Sequence, residues 1–65
     1  MPFVNIRMVA GQSDAAKDKI AASTASAISE ATGIARDQIW ITFEDIAAQH
    51  WYVGDRSVSE IRKKR

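Results

Sequence analysis

Pro2-Phe3-Val4-Asn5-Ile6-Arg7-Met8-Val9 alternates with a period of two, placing Val4, Ile6 and Met8 on one side of an extended chain and Asn5 and Arg7 on the other. That is the pattern of a half-buried strand. Gly11 interrupts it. Ser13 is a favourable helix N-cap, and Asp14 sets a carboxylate at the positive end of a helix dipole. From Asp14 to Thr32 the period lengthens: Ala16, Ile20, Thr24, Ala27, Ile28 and Ala31 recur at spacings of three and four, with Lys17, Asp18, Lys19 and Glu30 mainly off that stripe. Gly33 supplies the stop. A period of two returns from Ile39 to Ile46, with Ile39, Ile41 and Phe43 on one face and Trp40, Thr42 and Glu44 on the other.

Strand, long helix, strand predicts a right-handed crossover between two parallel strands. The lengths agree: the helix spans roughly 28 Å at 1.5 Å per residue, and the second strand about 26 Å. The expected fold is α+β, a single βαβ unit occupying residues 1–65 as one domain. The helix covers one sheet face and leaves the other, with Trp40 and Thr42, bare. After the second strand, His50-Trp51-Tyr52-Val53-Gly54-Asp55 joins aromatic residues to a Gly-Asp turn signal and reads as a short hairpin. Ser57 to Ile61 reads as a last strand or turn reaching onto a neighbour, and Arg62 to Arg65 as a solvated end.

A chain of 65 residues buries only about 60% of the surface its unfolded form exposes, so it needs a further stabiliser. With no cysteine and a single histidine, His50, neither disulfides nor a structural zinc can supply it. Self-association remains, and the bare face and open strand edges invite it. The net charge of +1 gives no reason to expect nucleic acid or a membrane as partner. The Arg62–Arg65 cluster has no interleaved aromatics. No stretch reads as a leader or a membrane span, and the absence of cysteine fits a cytoplasmic location.

Pro2 has two readings. A proline opens a strand at little cost, since its missing N–H is not needed there. With Met1 removed, it is also a free secondary amine; α-amino groups have pKa values of about 7.7–8.0, and burial lowers them further. Such an amine accepts and returns a proton near neutral pH. His50 is a second acid–base candidate or a packing residue. Glu44 and Asp45 are solvated acids or water-activating carboxylates. Arg7 lies on the face opposite Val4 and is expected to pair with Glu44, whereas Arg36 and Arg56 fall in a loop and in the tail.

Pro2 directly after Met1, the alternating strand to Val9, Gly11, the Ser13-Asp14 helix start, Lys17, the strand Ile39–Ile46 and Trp51 occur in an order that resembles the 4-oxalocrotonate tautomerase family over nearly the whole chain. The resemblance implies βαβ subunits assembled as dimers or as a homohexamer, a trimer of dimers. It implies that the processed proline is the general base, moving a proton on a small 2-keto or enol acid with no cofactor and no metal. It further implies that Trp51 is the aromatic wall that keeps water from the amine.

Two departures bear on the substrate. Where the best-known members of the family carry an arginine after the strand-ending glycine and another in the second strand, this chain has Gln12 and Trp40. Both charge-assisted contacts to a dicarboxylate are thereby lost. Gln12 can still donate a neutral hydrogen bond, and Trp40 can stack on a planar substrate. The expectation is a tautomerase with Pro2 as base and Trp51, Gln12 and Trp40 as substrate-binding residues. Hydration, dehalogenation or iminium chemistry by the same proline is one alternative, and a non-catalytic oligomeric relative is another.

Overall fold

The computed structural model describes residues 2–63. Strands β1 (Phe3–Val9) and β2 (Trp40–Ile46) lie parallel, joined by helix α1 (Asp14–Thr32). Their register runs from Phe3 opposite Trp40 to Val9 opposite Ile46. The ladder continues past both ends: the Trp40 N–H donates to the Pro2 carbonyl at 3.0 Å and the Ala10 N–H to the Ile46 carbonyl at 2.8 Å. The α+β architecture expected from the sequence is the one the chain adopts.

The ends of α1 follow from three residues. The Ser13 hydroxyl accepts from the Ala16 N–H at 3.1 Å, satisfying one of the first-turn donors that have no carbonyl partner. Gly33 closes the helix at φ 78°, where any other L-residue meets its own carbonyl, and its N–H donates to Ser29. Ala16, Ile20, Thr24 and Ile28 are half-buried against the sheet as expected. Ala27 and Ala31 are exposed instead. The sheet is two strands wide, and a methyl group at the margin of the stripe is left open. Lys17, expected off the stripe, is only 20% exposed because its Nζ reaches Asp45 Oδ2, at 2.5 Å. Its aliphatic stem lies along the protein while the ammonium finds its partner at the end of β2.

Beyond β2 the chain makes a 3₁₀ turn at Ala48–His50 and the expected hairpin, β3 (Tyr52–Val53) against β4 (Arg56–Ser57). Gly54 takes the first position of its two-residue connection at φ 68°, a conformation that suits glycine. The final segment corrects an expectation: Val58–Lys63 is a short helix, α2, and not a strand or a turn. The Ser57 hydroxyl accepts from the Glu60 N–H at 3.1 Å, so Ser57 caps α2 as Ser13 caps α1. Helix α2 packs on the 3₁₀ turn. Arg62 and Lys63 are exposed, and Lys64 and Arg65 lie outside the described residues.

One copy of this fold scarcely has an interior. Ile39 is the one buried apolar residue among those described, at 9% exposure. The radius of gyration is 15.1 Å, against about 11 Å for a compact domain of this length. The exposed surface is 4899 Å², against about 4,100 Å² for a compact monomer of the same mass. The large apolar side chains left exposed are Phe3 and Trp40 on the open sheet face and Tyr52 and Val53 in the hairpin. No helix among the described residues is long and apolar enough to cross a membrane.

Candidate functional site

Pro2 stands at the amino end of the sheet, half-buried, with its carbonyl held by the Trp40 N–H. Beside it Phe3 and Trp40 are cross-strand partners on the open face, 64% and 58% exposed. In the chain as translated the Pro2 nitrogen is an amide; removal of Met1 makes it a secondary amine. The sheet therefore fixes the position of this nitrogen through the next bonded carbonyl.

Gln12 and Trp51 stand at the opposite end. Gln12 is exposed in the segment joining β1 to α1, and Trp51 is half-buried after the 3₁₀ turn. The Trp51 carbonyl accepts from the Val58 N–H at 2.7 Å, tying it to α2. A shallow hollow of about 420 Å³ opens there, lined by Arg7, Glu44, Ile46, His50, Trp51 and Tyr52.

Between the two ends, the open face carries a ladder of polar groups. Thr42 Oγ1 donates to Asn5 Oδ1 at 3.0 Å, and Asn5 Nδ2 donates to Glu44 Oε1 at 3.2 Å. The same oxygen accepts from Arg7 Nη2 at 3.2 Å and Nε at 3.4 Å. The Arg7–Glu44 pair is thus the one expected from the sequence. The Asn5 hydrogen bond, then the Arg7 hydrogen bond and the Arg7 charge, hold the Glu44 carboxyl below its ordinary range. Asp45 is engaged by Lys17 on the helix side. Arg36 donates to Ser26 Oγ at 3.1 Å, away from the hollow, and Arg56 is exposed in β4.

A single chain therefore brings Pro2 to Trp40, and places Gln12 and Trp51 at the other end of the strands. Those ends are roughly 20 Å apart, the length of a seven-residue strand. Reading the sequence alone left Arg7 and Tyr52 out of the candidate site. The signal for Arg7 was strand parity: Arg7, Glu44 and Ile46 share a face and end beside the aromatic tail. The described residues contain no group of three or more His, Asp or Glu side chains placed to hold a metal ion.

Against known proteins, residues 2–61 match the tautomerase family, described as "Tautomerase enzyme". The chain is 30% identical over 60 residues to a probable tautomerase of Bacillus cereus, covering 92% of this chain and 98% of that one. It is 26% identical over 61 residues to 2-hydroxymuconate tautomerase of Bacillus subtilis, covering 94% and 98%. A heterohexameric 4-oxalocrotonate tautomerase from Chloroflexus aurantiacus superposes with a TM-score of 0.87 at 26% identity, covering 95% of this chain and 100% of that one. A match that begins at Pro2 and runs through β1, α1, β2 and the hairpin into α2 takes in every element described above. The chain belongs to the 4-oxalocrotonate tautomerase family.

Proposed function

We propose that this protein is a cofactor-independent tautomerase whose base is the Pro2 nitrogen after removal of Met1. The neutral amine takes a proton from an enol oxygen or from the carbon beside a carbonyl. It returns that proton at the other end of the conjugated system, so no group is gained or lost. The observation that carries this reading is the placement of Pro2, half-buried at the head of β1 with its carbonyl bonded to Trp40. The base is held by the sheet and does not hang from a loose terminus.

The substrate is a small 2-keto or enol acid other than a dicarboxylate. Gln12 and Trp40 stand where relatives of the family use positive charge, so a second carboxylate has no cation to meet at either place. Gln12 donates a neutral hydrogen bond, Trp40 stacks on the planar substrate, and Trp51 excludes water from the amine.

The working site forms between copies. Pro2 and Trp51 lie at opposite ends of the strands, and an antiparallel pairing of two copies brings the ends together twice. The sparse interior of the single chain, its 15.1 Å radius of gyration and the heterohexameric relative support such self-association, as a dimer or a homohexamer.

The test is direct. Pro2→Ala should lower ketonisation of phenylenolpyruvate by about 100-fold or more, the usual loss on removing a positioned base, with assembly unchanged. Equal turnover by the two proteins, both shown by intact mass to lack Met1, would remove the reading.

A further inference from the structure

The hollow beside Trp51 contains a guanidinium with bonding capacity to spare. Arg7 has five N–H donors and commits two of them, Nε at 3.4 Å and one on Nη2 at 3.2 Å, both to Glu44 Oε1. The other three have no acceptor among the described residues. Glu44 holds this fork weakly, because the same oxygen also accepts from Asn5 Nδ2 at 3.2 Å. At 3.4 Å the Nε contact lies beyond the usual range for an N–H···O bond. Arg7 is 60% exposed and shares the hollow with the rings of Trp51 and Tyr52. A cation beside flat apolar walls is the complement of a carboxylate on a planar body.

We propose that Arg7 is the carboxylate-binding residue of this protein, receiving a monocarboxylate whose planar body lies against Trp51. This deepens the tautomerase reading and rests on it for the reaction the bound acid undergoes. Arg7 stands in for the positive charge absent at Gln12 and Trp40. It lies two residues, about 7 Å, before the end of β1, on the open face that also carries Ile46. Arg7 is the one arginine or lysine among the residues lining the hollow, so one carboxylate meets a permanent cation there and a second does not. Glu44 keeps the guanidinium oriented and competes with the ligand for it, so a bound product is released readily.

The test uses the assembled protein and two probes, 3-phenylpropionate and its neutral amide, followed by quenching of tryptophan fluorescence. The acid should bind at least about 10-fold more tightly than the amide, the margin of a charge-assisted contact. Arg7→Gln should erase that preference, and Glu44→Gln should raise affinity for the acid several-fold by removing the competing carboxylate. Arg62→Gln, which removes an exposed charge on α2, should change neither. Where Arg7→Gln fails to assemble, Glu44→Gln decides the matter. An Arg7→Gln protein that keeps the acid preference, or a Glu44→Gln protein that binds the acid less tightly, overturns the proposal. The same titration on Pro2→Ala separates the two ideas. Loss of turnover there with the acid preference intact supports both, whereas retained turnover removes the tautomerase reading and leaves the Arg7 result to stand or fall alone.

Discussion

The Trp40 N–H donates to the Pro2 carbonyl at 3.0 Å, so the residue at position 40 is tied by backbone to the residue proposed as base. Whatever side chain occupies position 40 is therefore presented beside Pro2 on the open face. Trp40 is 58% exposed there in the single chain.

It follows that charge can be reintroduced without disturbing the sheet. Gln12→Arg with Trp40→Arg should shift the ratio of kcat/KM for an enol dicarboxylate over an enol monocarboxylate by 10-fold or more, since each charge-assisted contact contributes about 1.5–3 kcal/mol. Steady-state kinetics on both substrates check this. An unchanged ratio would mean that position 12 or position 40 does not face the substrate.

The Glu44 carboxyl is held below its ordinary value of 4.5, first by the Asn5 hydrogen bond and then by Arg7. A depressed folded-state value means a stabilisation present at neutral pH and lost as pH falls through the folded value, below 4.5. Carboxyl titration followed by NMR should place the Glu44 midpoint under 4.5. In Asn5→Ala that midpoint should move up. A midpoint at or above the ordinary value in the unaltered protein would contradict the ladder on the open face.

The two helix caps of α1 make a separable pair. Ser13→Ala removes the acceptor for the Ala16 N–H and should cost about 1 kcal/mol. Gly33→Ala forces an L-residue to φ 78° and should cost about 1–2 kcal/mol. Urea unfolding at one fixed protein concentration measures both. Because the two ends of α1 share no partner, the double variant should show the sum.

With one buried apolar residue among those described, the fold proposed here draws stability from a second copy. The unfolding midpoint should therefore rise with protein concentration, as for any fold stabilised by its own partner. Melting at concentrations spanning 100-fold, alongside sedimentation, tests this. A monomer in sedimentation with a concentration-independent melt would show that the open face needs no cover.

Much of this was legible in the sequence, and the reasons for the remainder are physical. The two strands were plain because Val4, Ile6, Met8 and Ile39, Ile41, Phe43 alternate without interruption, and the parallel register then set Arg7 opposite Glu44. Ser13 and Gly33 marked α1 to the residue. Helix α2 was missed because six residues are too few for periodicity to speak; the usable signal was Ser57-Val58-Ser59-Glu60, a serine with a glutamate three positions on. Lys17 was misplaced because residue type suggested solvent, whereas its position in the first turn carries it over the end of β2 to Asp45. For the candidate site, the family resemblance proposed Pro2, Gln12, Trp40 and Trp51 one at a time. It did not reveal that they divide between two ends of the sheet, since that depends on where the tail folds after Ile46.

That division has a genetic consequence. If base and aromatic wall come from different copies, a Pro2→Ala chain and a Trp51→Ala chain, each inactive alone, should regain one working centre when mixed within the same assembly. Two defective alleles would then complement each other. A pair of lesions at the same end, Pro2→Ala with Trp40→Ala, would give no such rescue where those two side chains serve one pocket together.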